Sequence, residues 1–358
     1  MASFTRLTLT AQTLYAELLE QSMALEASRS TANLSGTFTT RRVKGRSYHY
    51  YVYRDVGGKF QQVYLGADSE QVRNFVKRVR AEKRQVSTDL KRVEELCSAL
   101  QATGAMVTPH SHAKVIQALA DCGLFRFGMV MVGTHAFAVI GNLLGVRWSS
   151  AERTQDVDFV YDPDIDVGVA DAEELNIPDI LKKLEMGFVP IPKLNHRHPS
   201  TSFRVRGKEL RVDFLTPLTG KPREQPVLLP HLHTAAERLR YLDYLIEKPQ
   251  HGVIIGNRGI LVNIPNAGRY ALHKVIVSQV RANPVKSDKD IHQAAQLCEV
   301  LLESKPGDLS LGWKALAARG RGWTQRFNRG LEKLTKEYPA IGKELARRFT
   351  GARTARSK

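Results

Sequence analysis

Apolar positions recur along the chain with two periods, about 3.6 and 2, and the switches between them mark the elements. Residues 5–28 space Leu14, Leu18 and Met23 among polar side chains, which predicts an amphipathic helix. Ser30 to Gly36 has the Ser, Thr, Asn and Gly content of a linker. Three short β-prone runs follow, 37–43, 47–54 and 59–65, parted by Lys44-Gly45-Arg46 and Gly57-Gly58; they predict a three-stranded meander. Asp68, with Gln71 three residues on, is placed to cap a long charged helix from Ser69 to Ala102, which Gly104 ends. Thr108-Pro109 predicts the next helix, running to about Cys122.

The stretch from Gly128 to Tyr161 organises the rest. Met129–Val132 reads as a strand, Gly133-Thr134 as a turn and His135–Leu144 as an apolar helix. Ser149–Gln155 reads as a polar loop, and Asp156–Val160 as a second strand. Residues 128–146 hold no Asp, Glu, Lys or Arg, which also raises a membrane span. The four glycines of that run, with His135 and Asn142, suit a helix buried on a sheet better. On the second strand Asp156 and Asp158 share one face while Val157 takes the other. Two carboxylates so placed repel unless a proton or a divalent cation neutralises them.

Downstream, the pattern predicts a helix over 179–186, a strand over 188–191 and a hairpin of 201–205 with 209–215. Asp213 stands in that hairpin's second strand between Val212 and Phe214, a costly place for an unpartnered carboxylate. A helix is predicted over 235–246, then a hairpin of 253–255 with 260–263. Helices over 269–280, 289–303, 311–318, 323–337 and 340–349 complete the chain.

Charge changes the picture. The formal net charge is +17, with pI near 9.8, a balance that attracts polyanions. From Trp313 to Lys358 there are thirteen Lys or Arg against three Glu, ending in a basic tail. In the meander, Tyr48, Tyr50, Tyr51 and Tyr53 lie among Arg41, Arg42, Lys44, Arg46 and Arg54, the composition of a nucleic-acid platform or of tyrosines half packed on the next helix. Three distant cysteines without a CxxC pair indicate neither a disulfide framework nor a zinc ribbon. The N-terminal residues lack a signal-peptide pattern, so a cytoplasmic protein is expected. His231 and His233 form a two-residue metal candidate without a third ligand, and His196, Arg197 and His198 a candidate phosphate contact.

Gly133-Thr134 at a helix start, Asp156-x-Asp158 on the next strand and Asp213 on a later one resemble the nucleotidyltransferase superfamily of the DNA polymerase beta type. Within it they resemble bacterial stand-alone enzymes such as the AbiEii-like toxins, over about residues 125–300. The resemblance implies an α+β fold with a mixed sheet, and transfer of a nucleoside monophosphate from an NTP to an acceptor hydroxyl. It implies that Asp156, Asp158 and Asp213 are catalytic and bind Mg2+ or Mn2+. Gly133 and Thr134 would hold the triphosphate, and Lys274 and Arg281, which share a helix, would contact nucleotide unless they are simply a solvated face. Asp290 follows them. The expected organisation is an N-terminal helix (1–28), a basic aromatic meander (29–66), a helical connector (67–123), the transferase core (124–265) and a basic helical domain (266–358). The acceptor expected from the charge is RNA, tRNA-like. An alternative is a toxin or defence protein with an antitoxin partner, a protein-modifying core or an inactive one. No membrane association is expected.

Overall fold

The computed structural model describes residues 4–29, 37–43, 45–54, 60–149, 155–163, 175–192, 199–221 and 225–349. The predicted linker 30–36, the Gly57-Gly58 turn, His196 to His198 and the basic tail from Gly351 lie outside them. In chain order the elements are β1 (Phe4–Arg6), α1 (Leu9–Arg29), β2 (Thr37–Val43), β3 (Arg46–Arg54), β4 (Phe60–Ala67), α2 (Glu70–Ala102), α3 (His110–Asp121), β5 (Val130–Val132) and α4 (Gly133–Leu143). Next come β6 (Val146–Trp148), β7 (Asp156–Val160), α5 (Ile177–Lys183), β8 (Phe188–Pro190), β9 (Ser202–Val205), β10 (Arg211–Pro217), β11 (Val227–Leu229) and β12 (Thr234–Leu239). Last are α6 (Leu242–Ile246), β13 (Gln250–Ile255), β14 (Gly259–Ile264), α7 (Ala267–Val277), α8 (Pro284–Ser304), α9 (Pro306–Ala317), α10 (Arg321–Glu337) and α11 (Pro339–Phe349). The fold is α+β, as expected.

The central sheet is mixed and runs β11-β12-β10-β7-β5, with β9 on the first half of β10 and β8 beyond it. β7 and β10 are parallel, and β5 and β7 antiparallel. Val157, Phe159, Val212 and Phe214 leave one face of these strands for the core, where Phe159 and Phe214 stack at 5.9 Å. The opposite face carries the acids. Helix α7 is buried at all eleven of its positions, so it runs through the interior instead of over the surface.

Helix α1 buries Ala11, Tyr15, Leu18, Ser22 and Leu25, a stripe with helical spacing. Met23, expected on that stripe, faces solvent, because the stripe runs one position away from it. The Tyr15 hydroxyl donates to the Val253 carbonyl at 2.8 Å and accepts from its N–H at 3.0 Å, fixing α1 to β13. The meander is antiparallel as predicted.

Four expectations need correction. Residues 235–246 are not one helix: Ala235 to Leu239 are good helix formers, yet 234–239 fill the slot between β10 and β11, and tertiary pairing overrides propensity. Val146 to Trp148, expected in or beside a loop, pair with Phe4 to Arg6, expected to lie at a helix start. Ser69, not Asp68, caps α2, since Asp68 is engaged by His49 and Arg73. Thr108 makes no capping bond for α3. Among the described residues no helix is long and apolar enough to cross a membrane.

Candidate active site

Three short pieces of sheet bring the acids together. Asp158 lies opposite Asp213 across β7 and β10, and Arg211 lies opposite Asp156. Parallel register with side chains alternating therefore sets Asp156, Asp158, Arg211 and Asp213 on one face. β5 runs alongside so that Val132 sits opposite Asp158, and the chain turns into α4 at Gly133. Gly133 has φ +68°, and a Cβ there would stand 2.3 Å from Asp158 Oδ2. Only glycine permits both the backbone angle and that approach. Val132, which precedes the helix, contributes no side-chain cap, and the Tyr270 hydroxyl donates to the Gly133 carbonyl at 2.8 Å.

These groups line a cavity of about 540 Å³. Thr134, Asp156, Asp158, Arg211 and Asp213 form one wall. Tyr270, His273 and Lys274 of α7, Arg281, and Lys286, Lys289 and Asp290 of α8 form another. The sequence-predicted residues Gly133, Thr134, Asp156, Asp158, Asp213, Lys274 and Arg281 all meet there, whereas His231 and His233 do not line it.

The two walls differ electrostatically. Arg211 holds Asp213 through Nε at 2.7 Å and through Nη2 by a second, shorter contact, and its Nε is 3.6 Å from Asp156. That bond engages only Asp213 Oδ2; Oδ1 is buried with no hydrogen-bond partner. Burial, then the charges of Asp213 and Asp156, push the Asp158 carboxyl up to about 7, with Arg211 and Lys274 opposing. On the other wall Asp290 accepts from Lys274 Nζ at 2.6 Å and from Arg281 Nε at 2.9 Å. Burial alone would raise the Asp290 carboxyl, but the two cations outweigh it and hold it below the usual range. His273, neighbour to Lys274, is buried with both ring nitrogens unpartnered, and burial, with Lys274 adding, lowers its pKa to about 3.

Among the described residues no three His, Cys, Asp or Glu side chains are so placed as to hold a metal ion as they stand. Two features nevertheless match the donor set to a divalent cation. The orphaned Asp213 Oδ1 is a hard oxygen already stripped of water. Burial, together with the charges of Asp213 and Asp156, leaves Asp158 holding its proton up to about 7, the situation a cation relieves. Arg211 is the present counter-charge; its side chain is 44% exposed and so has room to withdraw.

The sequence offers Arg204 and Arg211 as salt-bridge partners for Asp213, and the structure pairs it with Arg211, while Tyr270, His273 and the paired state of Asp290 were not assigned from sequence. Arg211 was legible, two residues from Asp213 and hence on its face. Tyr270 was not, since nothing in the sequence of its helix says that this hydroxyl reaches a turn 137 residues away.

A nucleotidyltransferase family model matches residues 110–318, more than half of the chain, and spans both walls of the cavity. A solved structure of an antigenic nucleotidyltransferase-like protein from Paracoccidioides brasiliensis aligns over 61% of this chain and 93% of its own, at 14% identity and a TM-score of 0.30. At that score no residue role is carried across. No curated protein matches the sequence significantly. On the family match and the cavity it encloses, the chain belongs to this nucleotidyltransferase family and is an enzyme of nucleotidyl transfer.

Proposed function

We propose that the protein transfers a nucleoside monophosphate from an NTP to a hydroxyl on RNA, with a divalent cation held by Asp156, Asp158 and Asp213. The observation that carries this reading is the alignment of those three carboxylates on paired strands beneath the glycine that opens α4. A bound Mg2+ or Mn2+ would supply charge neutralisation at the reacting phosphate. Asp158 must lose its proton to serve as a ligand, and Arg211 must leave Asp213. Asp213 then orients the acceptor hydroxyl. The uncapped first turn of α4, with Gly133 and Thr134, offers N–H groups and the positive end of the helix dipole to the triphosphate. Lys274 and Arg281 reach nucleotide only by sharing or giving up Asp290. In this reading residues 124–265 form the transferase unit, and the helices after 266 close its cavity. The likeness to polymerase beta-type and AbiEii-like enzymes belongs to the same proposal.

RNA as acceptor rests on the net charge of +17 and on the thirteen cations between Trp313 and Lys358. The test is incubation with Mg2+, total RNA and NTPs labelled at either the α- or the γ-phosphate. Label from the α position should enter RNA and label from the γ position should leave with pyrophosphate. Incorporation should fall steeply with salt, as binding that releases counterions does. Label entering protein instead would replace RNA as the acceptor, and γ-label incorporation would overturn nucleotidyl transfer.

A further inference from the structure

One face of the meander packs against α2; on the other Tyr48 and Tyr50 are half-buried and Tyr64 is exposed. On the covered face Phe38 meets Phe75 of α2 at 6.2 Å edge to face, and His49 is bonded to Asp68 at 2.8 Å. On the other face Tyr50 lies opposite Tyr64, and Arg41 opposite Tyr48. A bulge after Tyr64 brings both Tyr48 and Tyr50 beside it, at centroid distances of 6.2 and 5.5 Å. The Arg41 guanidinium lies 5.6 Å over the Tyr50 ring. Tyr64 is 56% exposed. The rings are tilted 47–54° to one another, so each offers its own face instead of joining a single stack.

Charge selects the occupant. Residues 37–67 contain six Lys or Arg and one acid, Asp55. Among the described residues no carboxylate pairs with Arg41, Arg42 or Arg46. Aromatic faces beside a surplus of cations complement a chain that carries both ring systems and phosphates. In a duplex the base faces are already stacked, so only unpaired nucleotides satisfy both features. We propose that the Tyr48–Tyr50–Tyr64 face of this sheet binds single-stranded RNA, each ring taking one splayed base. This deepens the RNA-acceptor reading above. Helix α2 holds the sheet away from the core: Val76 lies at the sheet end and Val93 in the cluster with α1 and β13, roughly 25 Å apart at 1.5 Å per residue. The face therefore grips the acceptor at a distance from the region that reacts.

The experiment is fluorescence anisotropy of the full chain with a labelled U12 oligonucleotide and with a 12-base-pair RNA duplex, without NTP or divalent cation. Tyr50→Ala/Tyr64→Ala should weaken U12 binding at least about tenfold and leave duplex binding within about twofold. Tyr50→Phe/Tyr64→Phe should bind U12 like the parent, since stacking uses the ring and not the hydroxyl. Parental U12 binding by the alanine variant would overturn the proposal, as would equal loss for U12 and duplex. A parent that is dimeric by light scattering and an alanine variant that is monomeric would assign the face to a second copy instead. A parent that grips U12 through these tyrosines yet transfers no nucleotide would sink the acceptor reading alone.

Discussion

The cavity holds two buried ionic clusters that look alike by composition and differ in completion. Asp290 has both oxygens taken, one by Lys274 and one by Arg281. Asp213 has one oxygen taken by a half-exposed arginine and the other left bare. A buried charge whose hydrogen bonds are all made is a fixed part of the fold. A buried charge with an open oxygen, next to a second carboxylate that keeps its proton, costs stability for as long as nothing arrives. Of the two, only the strand cluster leaves an oxygen open, and the helix cluster is the closed reference against which it is compared.

The sharpest way to break the comparison is at the Asp-x-Asp. Asp156→Asn/Asp158→Asn should cut nucleotidyl transfer by at least about a thousandfold, some 4 kcal/mol in barrier. It should also abolish any Mg2+ enhancement of NTP binding in calorimetry. A double variant that binds Mg-NTP like its parent would remove the strand cluster from the chemistry.

Next in size is a matched pair of substitutions read by denaturant unfolding in metal-free buffer. Asp290→Asn strands Lys274 in the interior and should cost about 3–5 kcal/mol. Asp213→Asn frees an arginine that already reaches solvent and relieves repulsion on Asp158, so it should stay within about 1 kcal/mol of the parent. Equal losses at the two sites would mean that both clusters are structural.

Gly133→Ala should destabilise by about 1–3 kcal/mol, because the added methyl meets a carboxylate oxygen at a backbone angle alanine resists. Its weakening of metal affinity should exceed its effect on overall stability, since the displaced atom belongs to Asp158.

The smallest effect is one of pH. Folded Asp158 keeps its proton to about 7, whereas the unfolded chain releases it near 4. The folded state therefore binds the extra proton between those values. Metal-free stability should fall as pH rises through that window, by at most about 1.4 kcal/mol per pH unit, and level off above it. Asp158→Asn should flatten the slope between pH 5 and 7. The Asp290 contribution runs oppositely and lower, since its depressed carboxyl loses stability only as pH falls below the ordinary carboxylate range.

What could be read from sequence follows from how local each signal is. The Gly turn, the Asp-x-Asp strand and Asp213 were legible because alternation fixes faces within a strand. The pairing that brings Asp213 opposite Asp158 was not, because register is a property of two strands. β12 read as helix because its residues favour one until two neighbours supply hydrogen bonds. Lys274 and Arg281 read as cations on one helix, but α7 ends at Val277, so Arg281 lies in the turn beyond it, and their shared partner Asp290 lies on the next helix, where only packing shows it.

The bond pair between Tyr15 and Val253 has a consequence for synthesis. The apolar stripe of α1 is covered by α2 and, 238 residues after Tyr15, by β13. At about 5–20 residues per second, that stripe waits roughly 10–50 s on the ribosome before the second part of its cover is made. In the interval α2 is the surface α1 can lean on. Fragments that stop before residue 250 should therefore keep α1 and α2 helical yet aggregate through Ala11, Tyr15, Leu18 and Leu25, while longer ones that include β13 and β14 should not.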